Sequence, residues 1–431
     1  MELDRISSLP YEVTENILSH LPLREAVRTS VLSTKWRYNS AMLQDLEFNE
    51  DEYDDADDDQ IQTSFVNMVD HVLLLHIGPI RKFVLIAEEV ATRNIDRWLA
   101  HLSRNSIKEL ALCLWVPEYH IPFCVFSCQD LVFLELIKFF LMDPTLTEVW
   151  LKLPSTFKGF KNLKSLHLVG ITMSQNVFET LICCSPMLER LIMRDCYSVK
   201  NINLDAPNLK FLDIMGIFDA VSLKSTPNLI DASIGVTIHT YGPDQRWVPA
   251  SWVPSSSGNL VKIFDKLPQI RRLAISLHFL KYLSRGALPE KLPTLSEYLD
   301  VLSVDICFDD TDEILAALCI LRSSPALQEL EILMDDRKKL TSCVEEDESS
   351  YSDVLAGHNF KLLQLRLVKI NKISGVKAEL HFIRFLLLSS PLLEKMTITV
   401  ASVNDFPEVA KELLQCKRAS SNAEIILRGP S

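Results

Sequence analysis

Glycine is scarce in this chain. Only 11 glycines occur in 431 residues, each isolated from the others. No G-x-G-x-x-G, G-x-x-x-x-G-K or G-x-S-x-G can be written, which excludes the usual dinucleotide cradle, phosphate loop and nucleophile elbow. H-E-x-x-H is missing too, and the ten histidines are dispersed. The ten cysteines form no CxxC pair, so neither a zinc pattern nor a disulfide framework is expected. Cys183-Cys184 and Cys124/Cys128 read as ordinary buried thiols in a reducing compartment. No catalytic residue, metal or cofactor is expected.

Long apolar runs are also absent. The most apolar stretch, Leu131 to Met142, spans 12 residues and is broken by Glu135 and Lys138, short of the roughly 20 that a spanning helix needs. Met1 to Pro10 lack the basic start and apolar core of a signal peptide. The expectation is a protein of the cytoplasm or nucleus, without a membrane partner. No basic patch stands out, so nucleic acid is not an expected partner either. The net charge of −13 comes from two acidic runs: Glu47 to Asp59 carries nine acids and no base, and Glu345 to Asp353 five acids and no base. Both read as solvated loops.

What is present is a recurring phrase, L-x-x-L-x-L. It appears as Leu163/Leu166/Leu168, Leu188/Leu191/Met193, Leu209/Leu212/Ile214 and Leu229/Ala232/Ile234. The starts lie 25, 21 and 20 residues apart, within the leucine-rich-repeat range of about 20–29. Upstream copies are Ile107/Leu110/Leu112 and Leu131/Leu134/Leu136. Downstream copies are Ile270/Leu273/Ile275, Leu299/Leu302/Val304, Leu327/Leu330/Ile332, Leu362/Leu365/Leu367 and Leu393/Met396/Ile398, at irregular spacing. Before three of them an apolar helical run ends in Ser185-Pro186, Ser324-Pro325 or Ser390-Pro391. Proline cannot continue a helix and biases its predecessor away from the helical region. Each unit is therefore a strand and a helix that cannot bury its apolar face alone, and neighbours stack into an irregular α/β solenoid with one strand-lined surface.

Strand alternation turns the residues between the leucines outward. Lys164, Ser165 and His167, then Glu189, Arg190 and Ile192, then Lys210, Phe211 and Asp213 are expected to form one patch, which makes Lys164, His167, Arg190, Ile192 and Phe211 candidate contacts to a target protein. Cys196, three residues after Met193, is placed to bond neighbouring backbone. The segment His239 to Asn259 breaks the rhythm and supplies Trp247 and Trp252 as candidate anchors, because aromatic residues dominate binding hot spots.

The N-terminal residues, to about Leu46, read as three short amphipathic helices. Pro10 suits a first helical position. Val13, Ile17, Leu18 and Leu21 mark one face of the first helix, and Leu23, Ala26, Val27 and Val31 one side of the second. A third starts near Ser33 and carries Trp36. So small a unit buries too little surface to stand comfortably alone, and a partner is expected.

The segment DRISSLPYEVTENILSHLPLREAVRTSVLSTKWRY resembles the plant F-box motif, matched at Leu9-Pro10, Ile17-Leu18, Leu21-Pro22, Ala26-Val27, Ser30-Val31-Leu32-Ser33 and Trp36-Arg37. With the repeats, and a terminal segment centred on FIRFLLLSSPLLEKMTI that resembles the FBD module, the chain is similar to the plant F-box, FBD and leucine-rich-repeat family. The resemblance implies a non-catalytic substrate-recognition subunit of an SCF-type ubiquitin ligase. Its F-box would bind a Skp-type adaptor, and through it a cullin, by way of Leu9, Pro10, Ile17, Leu18, Leu21, Pro22, Val31, Leu32 and Trp36, while the repeats bind an as yet unknown target protein. The domains expected are an F-box over 1–46, an acidic linker over 47–70, the solenoid over 71–358 and the FBD-like segment over 359–431 ending it. Tyr11, where the family usually has an acid, and Asn39-Ser40, in place of an apolar pair, depart from the pattern and would weaken adaptor binding. The alternatives are a small-molecule sensor resembling the plant hormone receptors, and an adaptor-independent scaffold with a decayed F-box.

Overall fold

The computed structural model describes residues 9–31, 39–53, 58–88, 90–116, 118–138, 148–237, 239–241, 247–249, 263–264, 269–284, 288, 292, 298–334 and 360–430. The chain folds as two compact units, Met1–Val199 with Tyr241–Val248, and Lys200–Thr240 with Pro249–Ser431.

The first unit opens with α1 (Tyr11–Ser19) and α2 (Leu23–Arg28), followed by a 3-10 turn, Thr29–Val31. A parallel ladder follows: β1 (Asp45–Asn49), β2 (Lys82–Ala87), β3 (Glu109–Leu114), β5 (Phe133–Lys138), β7 (Ser165–Val169) and β9 (Arg190–Arg194). A second parallel ribbon joins β4 (Tyr119–His120), β6 (Val149–Trp150) and β8 (Ile171–Thr172). The helices are α3 (Asp58–Leu75), α4 (Thr92–Leu102) and α5 (Gln175–Cys183).

Register stacks the repeat leucines into two inward rows. Leu46, Phe83, Leu110, Leu134, Leu166 and Leu191 form one, and Phe48, Leu85, Leu112, Leu136, Leu168 and Met193 the other. All twelve are buried. Each fully buried aliphatic or aromatic side chain stabilises by about 1.5–3 kcal/mol relative to exposure, so these rows are the core. Lys138 also takes an inward place at the end of β5, and burial lowers its ammonium pKa.

This arrangement corrects the acidic linker. Residues 45–49 are a strand, Glu50–Tyr53 a 3-10 turn and Asp58–Leu75 a helix. Phe48 is 1 % exposed and packs on Phe83 with ring centroids 5.5 Å apart, and Glu50 is buried, accepting a hydrogen bond from the Glu88 backbone at 2.6 Å. Asp45 and Glu47 alternate with the buried Leu46 and Phe48 in period two, so the start of the run is the polar side of a strand. The cysteines need a correction as well: Cys128 is buried, but Cys183 is exposed and Cys124 and Cys184 are half-buried.

The second unit contains β10 (Asn201–Asp205), β11 (Phe211–Gly216), β12 (Ala220–Ser225) and β13 (Asp231–Val236), with β10 paired to β12. Two short strands, β14 (His239–Tyr241) and β15 (Trp247–Pro249), come next in sequence. The ladder then runs from β11 and β13 through β16 (Arg272–Leu277), β17 (Val301–Ile306), β18 (Glu329–Met334), β19 (Leu367–Ile373), β20 (Lys395–Val400) and β21 (Glu424–Arg428), all parallel. Its helices are α6 (Phe279–Ser284), α7 (Thr311–Arg322), α8 (Lys377–Ser389) and α9 (Phe406–Gln415).

The Ser-Pro phrases end α5, α7 and α8, and each does so with the same bond. The serine carbonyl accepts from the leucine that begins the next strand phrase: Leu188 N–H to Ser185 at 3.1 Å, and Leu327 to Ser324 and Leu393 to Ser390 at 3.3 Å each. One triplet is misplaced. Leu367 is 36 % exposed, while Val368 and Ile370 pair with Leu330 and Ile332 and are buried. The true phrase is Leu365/Val368/Ile370, because a one-residue slip inverts a strand's faces. Among the described residues no helix is long and apolar enough to cross a membrane.

Candidate functional site

Two surfaces of the first unit carry most of the candidate residues. The first is α1. Pro10 is its N-cap at φ −59° and ψ 151°, not its first helical residue, and its carbonyl accepts from Val13 and Thr14 at 3.1 Å. Helical spacing gives α1 two faces. Thr14 and Leu18, four apart, are buried together, as are Leu23 and Ala26 on α2. Val13, Ile17 and Leu21 form the opposite stripe at 43 %, 42 % and 39 % exposed, and Val31 is 85 % exposed. An apolar stripe left open to water is a docking signal.

Ile17, Leu21 and Val31 are thus surface groups, with exposed Pro10 and Pro22 beside half-buried Leu9. Leu18 is different: at 1 % exposed it is packed beneath the helix with Thr14. Leu32, Trp36 and Trp252 lie outside the described residues, and of Trp247 only its place in β15 is described.

Between α1 and β1 lies a groove of about 450 Å³. Leu18, Leu21, Leu23 and Leu43 line it, with Glu12, Glu15, Asp45 and Glu47 around them. Arg81 also lines it, donating to Asp45 from Nε at 3.0 Å and lying 3.6 Å from Glu109. These bonds to carboxylates raise the Arg81 pKa, with the Asp45 hydrogen bond foremost.

The second surface is the open side of the ladder. Register brings Ser165 beside Arg190 and His167 beside Ile192. Arg190 is exposed and Ile192 half-buried, and Lys164 lies 3.7 Å from Glu189. His167 is held on both ring nitrogens, Nδ1 at 2.8 Å from Glu135 Oε1 and Nε2 at 3.0 Å from Ser165 Oγ, with the Phe133 ring edge-on at 4.9 Å. The hydroxyl and carboxylate fix this imidazole as one element of a polar surface.

Sequence reasoning missed the neighbours of these residues. Ile86, Cys113, Ile137 and Val169 are in register across four strands, with Val84 and Ala111 in the adjoining row. The alternation that exposed His167 in β7 applies equally to β2, β3 and β5, so the signal was there. Cys113 and Ala111 are buried between larger side chains, and Val84, Ile86, Ile137 and Val169 are half-buried. In the second unit Phe211 faces outward beside Asp231. There the open side is largely polar, with Asp231–Arg272 at 3.6 Å and Glu329–Lys369 at 2.6 Å.

Cys196 is buried, donating to the Leu168 carbonyl at 3.5 Å, and burial raises its thiol pKa to about 12. Its role is structural.

Comparison with known proteins matches residues 6–43 to the F-box domain and residues 95–332 to the leucine-rich repeats of the FBD-associated F-box protein At5g56370. An F-box/FBD/LRR-repeat protein of Arabidopsis thaliana, At1g13570, is 38 % identical over 434 residues, covering 98 % of each chain. The chain belongs to the F-box/FBD/LRR-repeat family. Two further F-box/LRR-repeat proteins of the same plant, At4g14096 and At2g42720, are each 27 % identical across 98 % of this chain and 94 % and 99 % of their own. The exposed stripe on α1 therefore belongs to the F-box, and the open face over β3, β5, β7 and β9 to the leucine-rich repeats.

Proposed function

We propose that this chain is the substrate-recognition subunit of an SCF-type ubiquitin ligase. A Skp-type adaptor covers Val13, Ile17, Leu21 and Val31 and links the chain to a cullin, while the strand face of the repeats holds the target protein. The observation that carries the reading is the apolar stripe on α1, uncovered within a module whose family works by docking. Ubiquitin transfer would be performed by other subunits, so the chain contributes proximity, which converts an encounter into a near-unimolecular step.

The half-buried Val84, Ile86, Ile137, Val169 and Ile192 favour a target with an apolar contact segment, flanked by the charges of Lys164, Glu189 and Arg190. The test is affinity capture of the tagged full chain from plant cells under proteasome inhibition. A Skp-type adaptor and a cullin should co-purify with proteins that accumulate only under inhibition. Capture of such proteins with no adaptor would favour the scaffold reading.

A further inference from the structure

The last strand of the second unit has an unusual edge. β21, Glu424-Ile425-Ile426-Leu427-Arg428, pairs with β20 on one side, and among the described residues no strand lies on its other side. It continues the two inward rows, with Ile425 beside Met396 and Leu427 beside Ile398. Every earlier residue of those rows in this unit's ladder is at most 2 % exposed, whereas Ile425 and Leu427 are only half-buried. Among the described residues the rows end open, and such an edge presents both unpaired backbone groups and apolar surface.

The charges of this strand say what would cover it. Glu424 and Arg428 are exposed, and neither makes an ion pair among the described residues. Alternation places both, with Ile426 between them, on the open face. Antiparallel pairing centred on Ile426 sets residue 424 opposite 428 and 425 opposite 427. A strand reading acid, three apolar residues, base is therefore its own complement in that arrangement. Both Glu-Arg pairs form at once, Ile426 meets itself at the two-fold axis, and Ile425 meets Leu427 over the open core rows. Directly opposite residues of unlike charge stabilise such a pair and like charges oppose it, and a self-complementary patch is what a two-fold dimer requires.

We propose that β21 pairs antiparallel with β21 of a second copy of this chain, joining the repeat ladders of two receptors about a two-fold axis at Ile426. The proposal is independent of adaptor binding.

Sedimentation velocity of the purified full chain tests it. The unaltered chain should dimerise, Glu424→Arg and Arg428→Glu should each weaken dimerisation at least tenfold by setting like charges opposite, and the combined exchange should restore it. In a Cys183→Ser background, Ile426→Cys should cross-link to a disulfide dimer under mild oxidation, whereas Ile425→Cys, which faces Leu427, should not. A monomeric unaltered chain would overturn the proposal, including the case in which a strand of some other protein occupies the edge. So would single exchanges without effect, a combined exchange that stays monomeric, or equal cross-linking at 425 and 426.

Discussion

Ile17 and Leu18 are neighbours in sequence and opposites in environment: Leu18 is 1 % exposed beneath α1, and Ile17 is 42 % exposed above it. Truncation should therefore separate stability from docking. Leu18→Ala removes buried methyl groups and leaves a cavity, at a cost of about 2–5 kcal/mol. Ile17→Ala should stay within about 0.5 kcal/mol, as surface changes usually do. Chemical denaturation monitored over the F-box measures the difference, and equal losses would place both residues in the core.

Phe48→Ala should destabilise the first unit by about 3–5 kcal/mol, as deletion of a buried ring does. Replacing residues 47–59 by a Gly/Ser linker should do at least as much harm, since it deletes β1's core contact with Phe83. Thermal denaturation checks both, and a linker variant that melts like the unaltered chain would return this segment to a tether.

Much of this architecture was legible beforehand. The inward rows follow from L-x-x-L-x-L wherever leucine fills it, and the helix ends follow from Ser-Pro. The first two strands escaped because Phe48 and Phe83 stand where leucine was sought: Leu43/Leu46/Phe48 and Ile80/Phe83/Leu85 are the same phrase. Acids crowding Phe48 also imitated a solvated loop, since net charge reports composition and not alternation. Leu367 slipped because L-x-x-L-x-L fits two registers in KLLQLRLVKI, and only pairing with Leu330 and Ile332 chooses between them. The two faces of α1 could not be separated in advance, because Val13, Ile17, Leu18 and Leu21 are all apolar.

Thiol reactivity should follow burial. At pH 7 to 8 the exposed Cys183 should alkylate in the native protein, while Cys128 and Cys196, whose thiol pKa burial pushes up to about 12, should remain protonated and protected. Mass spectrometry after brief iodoacetamide treatment, with and without denaturant, reads this out. Native labelling of Cys196 would mean that the β7–β9 region opens.

On the open face, Ile137→Asp with Ile192→Asp should reduce capture of accumulating targets at least tenfold, because a carboxylate in an apolar contact must be desolvated without a partner. Adaptor capture should not change. Undiminished target capture would move the contact to another surface.

The central claim is that the stripe on α1 is the adaptor's seat. Isothermal titration of the purified chain with a plant Skp-type adaptor measures it directly, comparing the unaltered protein with Ile17→Asp and Leu21→Asp. Expected is one-to-one binding of the unaltered chain, weakened at least a hundredfold by each substitution, with the melting temperature of the variants within two to three degrees of the original, as roughly 0.5 kcal/mol or less would give. Equal binding by all three, or no binding by the unaltered chain, would contradict it.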